Sequence, residues 1–385
     1  MSELPEGWVE TTLGEVASFK YGKMPKKPNI VLKGYPIYSG YRYVGFYPTT
    51  NCPKESLIVV ARGVGGTGDV KICKDDCHLT NLSILIDNDA TKLDRKFVYY
   101  KYSLRNLKYL DSGSAQSQIT ISDLQSLEIS YPALNEQKSI ADTLSSFDGK
   151  IELLREQNKT LETLAQTIFK EWFVKFNFPD ATGEMIDSEL GEIPKGWRVG
   201  KLEDIVTNIR ESLKAKDNIQ DRKYIPIDNI PMKQLGLDSY SPIENAKSSL
   251  VGFEPGDILF GAMRCYFHRV CFSTVKGVTR TTVMILRPKK KLFFEFSLLL
   301  INQNKSVDYA NQNSKGTTMP YAVWDGAFAD MPITIPPEEM AIKFSNLTSP
   351  MLAKIQKNIS QIEVLSKTRD ALLPKLMSGI VRANT

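Results

Sequence analysis

Histidine is nearly missing from this chain: His78 and His268 are the only two among 385 residues. Acid–base catalysis through imidazole therefore has few places to reside. Cysteine is sparse as well. Cys52, Cys73, Cys77, Cys265 and Cys271 form an odd set with no CxxC pair. That argues against a disulfide framework and for a reducing, cytoplasmic location. Cys73, Cys77 and His78 lie close in sequence, but no second cluster completes four ligands, so neither a metal site nor a cofactor is expected. No apolar run approaches the length of a membrane span. The opening Met1-Ser2-Glu3-Leu4-Pro5 lacks the basic and apolar stretches of a signal peptide.

Catalytic motifs are missing too. There is no GxSxG, no P-loop lysine motif and no Asn/Asp-Pro-Pro-Tyr/Phe tetrapeptide, to which Ile335-Pro336-Pro337-Glu338 is only superficially alike. Gly63-Val64-Gly65-Gly66-Thr67-Gly68 fits GxGxxG, but a dinucleotide loop needs a helix N-terminus straight after it. The next residues, Asp69-Val70-Lys71-Ile72-Cys73, read as a strand. A hairpin loop is the better account, and the chain is not expected to be an enzyme by itself.

What is present is present twice. Leu4-Pro5-Glu6-Gly7-Trp8 returns as Ile193-Pro194-Lys195-Gly196-Trp197, and Tyr35-Pro36-Ile37 as Ile225-Pro226-Ile227. Ser56–Arg62 matches Asp257–Arg264, and Gly113-Ser114-Ala115-Gln116 matches Gly316-Thr317-Thr318-Met319. Each half closes on a helical stretch, Lys150-Ile151-Glu152 against Lys354-Ile355-Gln356. The offset grows from 189 at the openings to 204 at the helices, so the second copy holds a loop insertion. This period is far too long for a solenoid; it is a duplicated module.

The hydrophobic fraction of 42% and charged fraction of 24% suit globular modules. The net charge of +5 is spread unevenly. Residues 1–134 carry 16 basic against 14 acidic side chains and 191–336 carry 20 against 15, while 179–190 hold four acids and no base. Such mildly basic modules permit a polyanionic partner without demanding one. Apolar runs at 57–61, 82–86, 257–260 and 281–286 read as buried strands, and the two Gly-Trp openings should pack their indoles into each core.

Ile151, Leu154, Asn158, Leu161, Ala165, Ile168 and Trp172 step alternately by three and four, an apolar seam on a helix from about Asp148 to Lys175. A shift of 204 gives Ile355, Asn358, Ile362, Leu365, Arg369, Leu372 and Leu376, a poorer seam that Ile359 supplements. Pro374 should kink or end that helix near its last turn. Two helices that each need a partner are expected to pair, with Asn158 and Asn358 fixing the register. The chain thus divides into module one at 1–134, a central helix at 135–178, a linker at 179–190, module two at 191–336 and a C-terminal helix at 337–385.

The remaining candidates are polar, basic loops in matched places. Lys23, Lys26 and Lys27 come after the first strand of module one; Arg210, Lys214 and Lys216 take that place in module two. Arg62 and Arg264 stand just beyond matched strands. Ser114, Gln116 and Gln118 precede the first helix, and Lys315, Thr317 and Thr318 precede the second. Lys and Arg neutralise phosphates, while Arg, Gln and Thr read base edges.

In the order of these segments the chain resembles the specificity subunits of Type I restriction–modification systems. The likeness rests on the repeated Leu-Pro-x-Gly-Trp opening, the GSAQSQI and GTTMPYA segments, Asn135-Glu136-Gln137-Lys138-Ser139-Ile140-Ala141, and the ending Leu372-Leu373-Pro374-Lys375-Leu376-Met377-Ser378-Gly379. It implies an α+β fold of two similar target recognition domains separated by two long antiparallel helices. Each domain would read one half of a split, asymmetric site in double-stranded DNA, with the helices setting the distance. At about 1.5 Å per residue the expected helix would be roughly 40 Å long, which suits half-sites one DNA turn, about 34 Å, apart. It also implies two methylation subunits docked on the helices, performing adenine methylation with S-adenosylmethionine, and restriction subunits in the full complex. Two other readings stay open from the residues alone. One is a methyltransferase fragment that has lost its catalytic domain; the other is a coiled-coil scaffold with two ligand-binding modules.

Overall fold

The computed structural model describes residues 4–40, 42–63, 66–103, 106–111, 118–213, 219–247 and 249–383. The chain divides into two units, 1–150 with 365–385, and 151–364, so both long helices cross the division.

In the first unit the run Leu57–Val60, buried at every position, is an inner strand of a four-stranded sheet. The strand order there is Ala17–Tyr21, Ser83–Asn88, Leu57–Val60, Val70–Ile72. Leu57–Val60 and Val70–Ile72, which flank the glycine-rich segment, pair antiparallel as the two arms of a hairpin. A three-stranded sheet joins Arg42–Tyr47, Tyr35–Ser39 and His78–Leu79, the last pair parallel. Val9–Thr12 pairs with Glu128–Tyr131 and closes the module. Trp8 is buried in the main core with Leu57, Val59, Ile84, Phe97 and Ile129.

The second unit repeats this topology. Val206–Ile209, Val283–Pro288, Ile258–Gly261 and Val270–Phe272 form a sheet in the same order. Arg198–Lys201 closes on Pro332–Ile335. Lys223–Tyr224 runs parallel to Gly277–Arg280, as Tyr35–Ser39 does to His78–Leu79. Trp197 is buried, as expected for its indole. Residues 179–190 are not extended away from the module: Met185–Ile186 pairs with Ile193–Pro194, and Phe178 stacks on Trp197 at 5.3 Å.

Each long helix has 40 residues, Leu134–Phe173 and Glu338–Met377. The first begins well before Asp148 because Gln137, Ile140, Ala141 and Leu144 already form a buried stripe. Gln137 is fully used: its carbonyl accepts from Asp94 N (2.9 Å), and its amide donates to Lys92 O (2.8 Å) and Pro132 O (2.9 Å). The second helix continues through Pro374 for three more residues before ending.

Within the second unit the two helical stretches are antiparallel. Asn358 donates to Asn158 at 2.8 Å, while Phe344 packs on Phe169, Trp172 and Phe173. Within the first unit Arg369 donates to Asp148 at 2.6 Å, and Ile140 and Leu144 share a core with Leu373, Leu376 and Met377. Of the expected seam, Ile151, Leu154, Ile355 and Ile362 are buried, whereas Asn158, Leu161, Ile168, Leu365 and Leu372 are half-buried. Glu162, Phe169 and Leu373 take the fully buried places beside Leu161, Ile168 and Leu372. A helix of 3.6 residues per turn drifts against a strict heptad by about 20° each repeat, and the stripe moves one residue to keep pace.

Glu162 is the cost of that drift. Its carboxylate accepts from Leu235 N at 3.0 Å and Gly236 N at 3.3 Å, tying a loop of module two to the helix. Ile355 and Ile359 lie so close to Gly236 that a Cβ there would sit 2.6 Å from Ile359 Cδ1. Burial pushes the carboxyl up to about 7, against the pull of the two amides. The folded state thus holds a proton that the unfolded chain releases near 4.5, so stability falls as pH rises from about 4.5 to 7. A Glu162→Gln variant keeps an acceptor without the charge. It should match the wild type below pH 4.5 and exceed it by about 3 kcal/mol above pH 7, a difference that chemical denaturation at the two pH values will read.

Candidate nucleic-acid interface

In both modules the chain leaving the inner strand meets the segment that precedes the closing strand. In module one Ile119 N donates to Ala61 O at 2.9 Å, and Arg62 bridges Gln118. In module two Ala322 N donates to Ala262 O at 2.8 Å, and Met263 bridges Tyr321. The segments after the strand and before the closing strand, far apart in sequence, are therefore joined at Arg62 and Gln118 in one copy and at Met263 and Tyr321 in the other.

The hydrogen bonds also correct the pairing of the arginines. Ala61 aligns with Ala262 and Arg62 with Met263, so Arg264 stands one residue further on, at the place of Gly63. Both residues there have positive φ, +135° at Gly63 and +53° at Arg264. A left-handed arginine is uncommon and stores backbone strain. Arg264 N donates to Pro320 O at 2.8 Å, which holds it against the second loop. Among the described residues neither Arg62 Nε nor Arg264 Nε has a hydrogen-bond partner, a property they share with Arg95 Nε and Trp8 Nε1.

Local chemistry shapes these loops. Asp111 accepts from Gln118 N at 2.8 Å, closing the base of the first. Thr120 and Asp123 form a capping box that starts the short helix Ile121–Gln125 just beyond it. The second is a tight hairpin in which Lys315 and Tyr321 exchange two main-chain hydrogen bonds of 2.9 Å. Gly316, at φ +89°, makes its turn possible.

The other candidates divide. Lys315, Thr317 and Thr318 are exposed on the hairpin. Lys23, Lys26 and Lys27 are exposed after the first strand, where Lys23 is held by its main chain to Leu79 O and His78 Nε2. Arg210 is turned aside into an ion pair with Asp325 at 2.7 Å, so part of its charge is already answered. Ser114, Gln116, Lys214 and Lys216 lie outside the described residues. Motifs gave no hint of Tyr266 and Phe267, exposed on the short turn Cys265–Phe267 that Arg264 begins, or of exposed Tyr321. Flat aromatic faces beside a cation suit stacking on bases. The available signal was an apolar pair where module one has glycines.

Cysteine is where the sequence expectation was too narrow. Cys52, distant in sequence, joins Cys73 and Cys77 in one buried group of thiols. His78 does not join it, since its ring nitrogens face Thr49 O and Lys23 O.

Two copies of one fold, each presenting a joined loop pair at the same strand end, define a two-headed recognition protein. The family model of the Type I restriction modification DNA specificity domain matches residues 5–163 and 194–364. The chain is 31% identical over 357 residues to the Type I restriction enzyme MjaIX specificity subunit of Methanocaldococcus jannaschii, covering 86% of this chain and 78% of that one. It is 22% identical over 330 residues to the HindI specificity subunit of Haemophilus influenzae, covering 68% and 71%. The crystal structure of a Type I restriction–modification S subunit from M. genitalium superposes with a TM-score of 0.67 over 98% of this chain and 97% of that one, at 18% identity. The chain belongs to the Type I restriction–modification specificity family, as its DNA-recognition subunit. Among the described residues no helix is long and apolar enough to cross a membrane.

Proposed function

We propose that each module reads one half of a bipartite, asymmetric DNA site through its joined loop pair. Residues 1–134 and 191–336 act as the reading heads, 135–178 and 337–385 as the helices that set their spacing, and 179–190 as the linker. The observation that supports this reading is the matched junction in each module, Ile119 on Ala61 and Ala322 on Ala262, with Arg62 and Arg264 held half-buried beside it. A guanidinium held this way is ready for a guanine edge or a phosphate. The loops differ between copies, with Gly63 in one and Arg264, Tyr266 and Phe267 in the other, so the two half-sites differ in sequence.

Lys23, Lys26, Lys27, Lys315 and the lysines at 214 and 216 would supply phosphate contacts whose strength falls with salt. Gln118, Thr317 and Thr318, with Ser114 and Gln116, would stand at base edges. The chain would supply sequence choice to methylation subunits docked on the paired helices, and restriction subunits would join in the cytoplasmic complex. Replacing Arg62 by methionine should weaken binding of the complex to duplex DNA about 5- to 150-fold, an effect of about 1–3 kcal/mol confined to the first half-site. Replacing Arg264 should do the same at the second. Competition binding with either half-site scrambled will measure this, and equal losses at both halves would mean non-specific contacts.

A further inference from the structure

We propose that Cys52, Cys73 and Cys77 of module one form a site for a thiophilic metal ion, zinc in the first place, held by three thiolates. The sulfurs of Cys52 and Cys73 are 3.5 Å apart and those of Cys73 and Cys77 3.9 Å, and all three lie within 4.8 Å of one another. Three thiolates on a tetrahedral ion at about 2.3 Å would have sulfurs about 3.8 Å apart. Two of the three sulfur pairs already stand at that spacing.

The backbone fixes them there. Cys52 and Cys77 exchange two main-chain hydrogen bonds, of 3.1 and 2.9 Å, and Cys73 N donates to Ser56 O at 2.9 Å. Binding would need little rearrangement.

Packing alone does not require thiols at these places. The contacts Glu55 N to Cys73 O and Cys73 N to Ser56 O recur in module two as Gly256 N to Ser273 O and Ser273 N to Asp257 O. Cys73 therefore corresponds to Ser273, and Cys52 to Phe253. The same fold is built there on an aromatic ring and a hydroxyl. Among the described residues the apolar core around the three thiols is small, with Tyr38, Ile58 and Leu79 as its other buried members. A metal ion would stabilise a small sheet where little apolar area is available.

Among the described residues no fourth His, Cys, Asp or Glu joins the group, so the last position falls to a water or hydroxide. Three thiolates leave a net charge of −1 around a divalent ion and −2 around a monovalent one, and burial favours the smaller charge. This ranks zinc above copper(I), whose chemistry with thiolates is otherwise alike. Hydrogen bonds from Cys73 and then Cys77 push Cys52 down to about 4, while the same bonds to Cys52 push its partners up. Thiol protons must leave as the ion enters, so binding weakens as pH is lowered.

The test uses the full-length chain, purified with reductant and without added metal or chelator. Elemental analysis should find one zinc per chain, or one copper if the monovalent ion is preferred in the cell. Cobalt(II) added to the metal-stripped chain should give the near-ultraviolet charge-transfer band and visible bands of a tetrahedral thiolate site. Cys73→Ser, which installs the residue module two carries there, should weaken cobalt binding at least about tenfold, and Cys271→Ala, outside the group, should not. A wild-type chain that holds no metal and gives no thiolate–cobalt absorption overturns the proposal, whatever the variants do. So does a Cys52–Cys73 disulfide in chain isolated without reductant.

Discussion

Removing the Arg287 side chain, as in Arg287→Ala, should destabilise the second module by about 3–5 kcal/mol, because it strands a buried carboxylate. Asp257 is 1% exposed and accepts from Arg287 Nε at 2.6 Å and Nη2 at 2.7 Å, a bidentate pair. Among the described residues its one other hydrogen bond is from Glu254 N, at 2.8 Å. The pairing holds the guanidinium above its ordinary value, first through these hydrogen bonds. Module one shows how the fold manages without the charge: Ser56, bonded to its surroundings in the same way, takes the place of Asp257. The double variant Asp257→Ser with Arg287→Ala should therefore recover most of the loss. Denaturant unfolding of the four chains of this cycle gives the coupling directly. A single variant as stable as the wild type would mean that water, not Arg287, satisfies the carboxylate.

Phe344→Ala should cost a similar amount, about 3–5 kcal/mol, by opening a cavity where the helices of the second unit meet. Phe344 is fully buried and packs on Phe173 at 4.8 Å, Trp172 at 5.6 Å and Phe169 at 6.1 Å, the first two edge-on or tilted. Phe173 in turn touches Trp197 and Phe296 of module two, at 5.7 and 4.8 Å. One aromatic group therefore joins both helices to the reading head they carry. The variant should melt early and lose methylation-subunit binding together with recognition of the second half-site. If melting falls while assembly and recognition are kept, the helices do not position that head.

The duplication was legible in the sequence because matched strands need matched apolar runs. Leu57–Val60 and Ile258–Gly261 are buried throughout and stand out against their polar flanks. The helices were legible in period but not in extent or face. A heptad template picked Leu161 and Ile168, which are half-buried against the core, but not Glu162 and Phe169, which are more buried because module two also packs on the helix. Loop chemistry was the least readable. The chain order of Arg62 and Arg264 suggested equivalence, and only main-chain hydrogen bonds showed the shift of one residue. Arg210 pairs at the surface with Asp325, 115 residues away, a contact with no local signature. Cys52 was missed as a partner of Cys73 and Cys77 for the same reason: long-range pairing has no local signature.

The most direct test maps methylated adenines in DNA from cells that express this chain with its methylation subunit. The account predicts a single split motif, two short specified halves of different sequence separated by a fixed unspecified spacer. A contiguous motif, two identical halves, or methylation without sequence preference would contradict it.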